Sequence, residues 1–380
     1  MAWLGVAAAA VLIWIVFVDA FEAVILPRRV RHGYRLASLF YGTAWFLWTT
    51  LGRLLPAGRW RSGLLSTFGP LSLFGLIGVW AAGLITGFAL MHWSLGTPLS
   101  ASHATDHGLG HYLYFSGTTF FTLGYGDVVP TDGFGKALSV AEAGIGFGFL
   151  ALVISYLPVL HQAFSRREIT ISLLDARAGS PPSAGELLRR RADAGNLASI
   201  EPLLVEWERW AAELLESHLS FPVLRFYRSQ HDNQSWVGAL TVILDTSAYL
   251  IAKGDATDGH QARLTFAMAR HAAVDLLLVS QTPLRPPESD RLPAADLARF
   301  QESLAACGVH DEPGTFKTLT ELRGLYEPFV NALAIHLQLT LPPYVAANRP
   351  VDNWQTSPGM ERSPGLSDLQ AAGARDEHSF

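Results

Sequence analysis

Hydrophobic residues run together over the first 160 positions of this chain and fall into helix-spaced stripes after that. Trp3 to Val18 is uninterrupted apolar sequence and, continued to Leu26, is long enough to cross a bilayer. Leu36 to Leu51 follows. Phe68 to Trp93 is the clearest span, with no charged residue between Arg61 and Asp106, and Phe134 to Leu160 carries only Lys136 and Glu142 as charges. Beyond Arg167 the pattern predicts amphipathic helices at Ile200–His218, Gln234–Ala252, Gln261–Ser280, Ala294–Ala306 and Phe316–Leu339, with apolar runs too short or too interrupted by charge to span a membrane. Gly179-Ser180-Pro181-Pro182 breaks the chain before them, and Ser183 with Glu186 has the spacing of a capping box. The tail from 348 to 380 is polar, with Pro and Gly, and is expected to be disordered.

Charge orients the spans. Arg28, Arg29, Arg31 and Arg35 follow the first, and no Lys or Arg precedes it, so it does not read as a cleavable signal and should run from outside to inside. Asp19 and Glu22 lie near its inner end, where snorkelling, pairing with arginines and a gating role are all open. Leu36–Leu51 has basic residues at both ends, with Arg53, Arg59 and Arg61 after it, so a crossing would leave one cluster outside. It is expected to be an interfacial helix with Trp45 and Trp48 at headgroup depth. The alternative is a four-span chain with its N-terminus inside. Gly75, Gly78, Gly83 and Gly87 give Phe68–Trp93 flat faces for helix packing, and Arg166 and Arg167 bring the last span back inside.

Between the last two spans stands Thr122-Leu123-Gly124-Tyr125-Gly126-Asp127. Gly and Asp make ordinary turns, but the context here is different. His111 to Phe121 is an aromatic and small-residue segment of about three helical turns. Such a helix would aim the negative end of its dipole at whatever lies beyond it, favouring a cation. A dehydrated cation needs its water oxygens replaced by a stack of carbonyls pointing at one axis, which requires backbone angles that a Cβ resists. Thr122, Leu123, Gly124 and Tyr125 would supply the carbonyls, the Thr122 hydroxyl an inner ring, and Gly124 and Gly126 the freedom.

The motif resembles the TVGYGD filter of potassium channels, with Leu123 in place of the usual valine. Ser116, Thr119 and Thr122 match Ser and Thr positions of that family's pore segment; Phe121 stands where a second Thr is common. The resemblance covers about Gly69 to Leu160. It implies that K+ is the permeant ion, that Gly146 is the hinge glycine of the inner helix, and that Asp127 bonds to the pore helix while adding charge at the outer mouth. Thr118 occupies the position where some bacterial channels carry a glutamate partner, which leaves the partner of Asp127 open. Since a potassium pore needs four loops around an axis and the chain holds one copy, a homotetramer is expected.

The predicted layout is an all-α membrane protein: an N-terminal transmembrane helix (1–27), the basic-flanked helix (28–62), a pore domain (63–164) with outer helix 68–93, pore helix 111–121, filter 122–127 and inner helix 134–160, an all-α cytoplasmic domain (165–347) and the tail. The inner helix holds Gly144, Gly146 and Gly148, and Pro158 further on, each able to bend a helix or, for the glycines, to allow close packing. Closure would fall around Pro158 and Leu160. Glu142, one turn before Gly146, either rings a water-filled cavity or hydrogen-bonds behind the pore helix. In the turret, His103, His107 and His111 are spaced four apart beside Asp106, a spacing open to metal binding or pH sensing, but Gly108 and Gly110 disfavour the helix that would align them.

Composition narrows the rest. Mean hydropathy is +0.23, and eight bases against six acids up to Leu160 become twenty against twenty-seven afterwards, so an acidic second half argues against nucleic acid. The single cysteine, Cys307, excludes an internal disulfide or a Cys-based zinc site. No GxGxxG follows a strand, no strand spacing suggests a cyclic-nucleotide β-roll, and His218, His231, Asp232 and Asp245 lack metal or catalytic spacing. No helix carries Arg at every third position, so voltage sensing is not expected. The expectation is a non-enzymatic potassium channel of the inner cell membrane, multi-pass and without cofactor, whose partners are its own copies, the lipid bilayer and an unidentified cytoplasmic ligand. A weakly selective cation channel and a membrane-anchored helical sensor or enzyme are the alternatives.

Overall fold

The structure is a computed structural model that describes residues 2–24, 36–56, 58–101, 108–193, 200–229, 233–254 and 259–346. The basic run Arg28–Arg35, His103, His107, His231, Asp232 and the tail from 348 lie outside the described residues. Among the described residues the fold is all-α apart from one short strand pair, and the chain divides into two compact units, Met1–Gln162 and Ala163–Phe380.

The first unit is organised by one long helix, α3 (Arg59–Leu95), of 37 residues and about 55 Å at the α-helical rise. It begins nine residues before the expected start because α2 (Leu36–Arg53) packs on its first half, burying Leu65 and Phe68. Helix α1 (Ala2–Val24) runs antiparallel to its second half: Gly5 meets Ser94, Ile13 meets Gly87 and Val16 meets Gly83. A Cβ at Gly83 or Gly87 would lie 2.8 or 2.6 Å from those side chains, so the glycines set the helix spacing. Gly75 does the same for Phe40 of α2, whereas Gly78 has nothing within 4 Å. α2 keeps the direction of α1 along α3: Trp45 stacks edge-on against Phe68 and Trp48 donates to the Leu64 carbonyl at 2.8 Å. Asp19 joins all three helices. Its buried carboxylate accepts from the Trp80 indole at 2.8 Å and from the backbone N–H of Ala37, an orphan donor in the first turn of α2, at 3.0 Å.

After β1 (Leu99–Ala101), helix α4 (Leu109–Phe120) re-enters against α3, and β2 (Val128–Pro130) returns to pair antiparallel with β1, Ser100 facing Val129. Tyr112 and Phe115 of α4 form a core with Ala89, Leu99 and Val128. Helix α5 (Gly133–Ala178) runs eighteen residues past the expected end at Leu160, straight through Pro158. A proline inside a helix costs about 3 kcal/mol. Burial of Ile171, Leu174 and Ala178 in the second unit offsets it, and Gly179, in a left-handed conformation, ends the helix where the sequence breaks.

The second unit contains α6 (Ala184–Asp193), α7 (Glu201–Ser220), a 3₁₀ turn (Pro222–Phe226), α8 (Trp236–Lys253), α9 (Gly259–Val279), α10 (Ala294–Ala305), α11 (Thr315–Gly324) and α12 (Glu327–Leu337). The expected single helix 316–339 is two, because Pro328 at the start of α12 lacks the N–H to continue α11. The capping box at α6 is half formed. Ser183 accepts from the Glu186 N–H at 3.3 Å, but the Glu186 carboxylate turns to Arg189 and Arg190 instead. Contrary to expectation, α8 is long and apolar enough to cross a membrane. Its apolar surface is accounted for by protein: every residue from Trp236 to Leu250 is buried among neighbouring helices.

Within that core runs a chain of alternating charges. Asp245 of α8 accepts from Arg291 at 2.6 Å and from the Tyr326 hydroxyl; Arg291 also reaches Glu327 at 3.2 Å, Glu327 holds Arg323 at 2.9 Å, and Arg323 holds Asp290 at 2.5 Å. A second anchor is Arg167 of α5, buried, whose guanidinium donates to Glu168 at 2.9 Å and to the carbonyls of Leu224 at 3.0 Å and Tyr227 at 2.7 Å, with His218 alongside at 3.3 Å. Burial, and then the Arg167 charge, hold His218 well below the usual histidine range; burial and Arg225 push His336 down to about 4.

Arg291→Ala should leave Asp245 buried without its cation and destabilise the second unit by about 3–5 kcal/mol, read as loss of its thermal transition. Because both histidines are neutral in the fold yet titrate near 6.5 when unfolded, their stabilisation is complete above that value and is lost as pH falls. The thermal midpoint of the detergent-solubilised chain should therefore drop between pH 7 and 5, with a shallower drop in the His218→Gln/His336→Gln double variant.

Candidate functional site

Helix α4 ends in a way that builds the segment after it. The N–H of Thr122 bonds the Thr119 carbonyl at 3.0 Å and that of Leu123 bonds the Thr118 carbonyl at 2.8 Å. These are the two bonds of a Schellman motif, whose C′ residue must adopt the left-handed conformation. Here that residue is Thr122, at φ 56°, a costly angle for a β-branched side chain. Gly124 and Gly126 follow at φ 57° and 76°, while Leu123 and Tyr125 between them keep negative φ. Left-handed and ordinary residues thus alternate from Thr122 to Gly126. The side chains of Phe121, Leu123 and Tyr125 are largely exposed in the single chain.

Asp127 has a partner, and the sequence reading missed it. Tyr114, one turn before Thr118, donates its hydroxyl to Asp127 Oδ2 at 2.8 Å. The visible signal was an aromatic donor on α4 thirteen residues before the aspartate. Thr118 instead bonds back to the Phe115 carbonyl at 2.9 Å. Thr119 contributes its carbonyl to the helix end, as above.

Glu142 is wholly buried within the chain and accepts from the Ser116 hydroxyl of α4. His92 of α3 lies beside it, the one titratable residue in Phe68–Trp93 and another omission of the sequence reading. Gly146 sits one turn on. A Cβ there would come within 1.9 Å of the Phe120 carbonyl oxygen, so this position is glycine because the end of α4 rests on it. A Cβ at Gly144 or Gly148 would meet nothing within 4 Å among the described residues. Pro158 is exposed, in continuous helix. His111 is half-buried in the first turn of α4, and among the described residues no cluster of His, Cys, Asp or Glu could hold a metal ion.

Gly146→Ala should force α4 and α5 apart and cost about 1–3 kcal/mol by overpacking, lowering the yield of folded protein. Tyr114→Phe should leave the fold intact while releasing Asp127. Size-exclusion and thermal-shift profiles of the two variants separate these outcomes.

A family model described as Ion channel matches residues 76–160, which spans α4, the Thr122–Asp127 segment and the membrane part of α5. An uncharacterized membrane protein, YdjJ, of Bacillus subtilis (strain 168) is 27% identical over 297 residues, 72% of this chain and 86% of that protein, so the likeness extends into the second unit. Protein LctB of Bacillus caldotenax is 33% identical over 85 residues, 20% of this chain and 63% of LctB; its counterpart in Geobacillus stearothermophilus is 32% identical over the same length. No solved structure matches. The chain is therefore an all-α membrane protein whose residues 76–160 match the ion-channel family model.

Proposed function

We propose that this chain is the subunit of a potassium-selective channel, four copies of which surround a filter formed by Thr122 to Gly126 and conduct K+ passively. The observation that carries this reading is the alternation of left-handed residues at Thr122, Gly124 and Gly126 directly after the C-terminal end of α4. Carbonyls so disposed can replace the hydration shell of K+, and the helix end adds negative potential. One loop per chain implies four chains. Exposed apolar residues on the membrane part of α5, Val140, Phe147 and Ile154, recur at seven-residue spacing and suit burial by neighbouring copies or lipid.

The antiparallel course of α1 and α3 supports an N-terminus outside and a second unit in the cytoplasm of a cell whose inner membrane holds the channel. The four-span alternative would need those two helices parallel. α2, continuing in the direction of α1, then belongs to the inner side. With Gly146 braced on Phe120, bending of α5 falls to Pro158, whose missing N–H leaves one carbonyl without its helical donor. The cytoplasmic unit is where a ligand would act on that helix.

In liposomes under opposed K+ and Na+ gradients, the reversal potential should follow K+; a value near zero favours the weakly selective channel that Leu123 would permit. Gly124→Asp should abolish K+ flux in an intact tetramer, and flux unaffected by it would sink the channel reading.

A further inference from the structure

Three helices each bring one polar side chain to a buried point: His92 from α3, Ser116 from α4 and Glu142 from α5, none of them exposed. The Ser116 hydroxyl is shared between Glu142 Oε1 and the Ile85 carbonyl, the latter at 2.8 Å. His92 is fixed by two neighbours, with Nδ1 3.1 Å from Thr97 Oγ1 and the ring edge-on to Phe115. When the Thr97 hydroxyl donates to Nδ1, Nε2 bears a hydrogen. Yet Nε2 stands 3.8 Å from Glu142 Oε2, and neither atom has a hydrogen-bond partner among the described residues. Native interiors pair nearly all such atoms, so two that face each other across a gap about an ångström too long call for a reason.

We propose that Glu142 and His92 are positioning residues for conduction, a proposal that rests on the channel reading above: the carboxylate holds α4 through Ser116, and His92 stands within a small side-chain movement of drawing it away. The link to the filter is short. Ser116 lies one turn before Phe120, whose carbonyl presses on Gly146 one turn after Glu142, so α4 and α5 are joined at two successive turns. Phe120 closes α4, and two residues later Thr122 opens the filter within the same Schellman motif. A shift in the last turn of α4 therefore reaches the first filter carbonyl with no flexible linker between. How the Glu142 carboxylate is divided between Ser116 and His92 sets that turn, and with it the conducting geometry.

The test is a coupling measurement on the full-length protein in liposomes, with K+ flux and the K+ to Na+ permeability ratio as readouts and tetramer assembly checked by crosslinking. His92→Phe keeps a ring on Phe115 and removes the nitrogens. It should change flux or permeability ratio by roughly three- to tenfold, the equivalent of one hydrogen bond. The same substitution made in Glu142→Leu should add nothing, and Glu142→Gln, which keeps an oxygen for Ser116, should recover conduction that Glu142→Leu loses. Equal effects of His92→Phe with and without Glu142 overturn the proposal, as does wild-type conduction in Glu142→Leu. Should Glu142→Leu fail to assemble, Ser116→Ala replaces it in the same cycle with the same outcomes. A wild-type chain that passes no K+ overturns the channel reading and the proposal together; conduction abolished by Gly124→Asp, with the cycle additive, overturns the proposal alone.

Discussion

Backbone meets backbone where the Phe120 carbonyl lies on Gly146, and the seating of α4 on α5 depends on that contact. Side chains can repack around a shifted helix, but a carbonyl oxygen pressed against a glycine has no rotamer to give. With the end of α4 fixed on α5, Ser116 falls opposite Glu142, the helix start falls within reach of Thr97 through Tyr112, and the Schellman bonds place Thr122 in its left-handed conformation. The strain at Thr122 is tolerable because the helix end over-determines it. The glycine at 146 that sequence alone offers as a hinge thus also seats the end of α4.

The second unit is held by the opposite kind of interaction. Its centre is a run of charges, Asp290, Arg323, Glu327, Arg291 and Asp245, each member contacted by charges of opposite sign. Buried ion pairs give little net stability over apolar packing, but a missing member is costly, so such a chain favours one arrangement of α8, α11 and α12 over any shifted one. Arg167 extends the same logic to α5, tying the helix that leaves the first unit to the corner after α7 by carbonyls that admit one guanidinium geometry.

Much of this was legible in the sequence because it follows from steric rules and periodicity. Gly83 and Gly87 announced a helix contact, Gly179 with its two prolines announced a helix end, and the glycines at 124 and 126 announced the backbone that carries them. What was not legible depends on pairs far apart in the chain. Tyr114 and Asp127, His92 and Glu142, and Asp19 and Trp80 each look ordinary alone, and only the fold makes them partners. Local rules also lost to tertiary packing: Pro158 does not end α5, and α3 runs through Pro70 and takes in Arg59 and Arg61 rather than starting after them.

Helix α8 carries a consequence for how the protein is made. Emerging from the ribosome, Trp236 to Lys253 is a segment that the insertion machinery would weigh as a membrane span. Asp245, in its middle, makes that transfer less favourable by about 3 kcal/mol. The carboxylate that anchors Arg291 and Tyr326 in the fold thus also lowers the hydropathy of α8, which is the least hydrophobic of the four apolar helices.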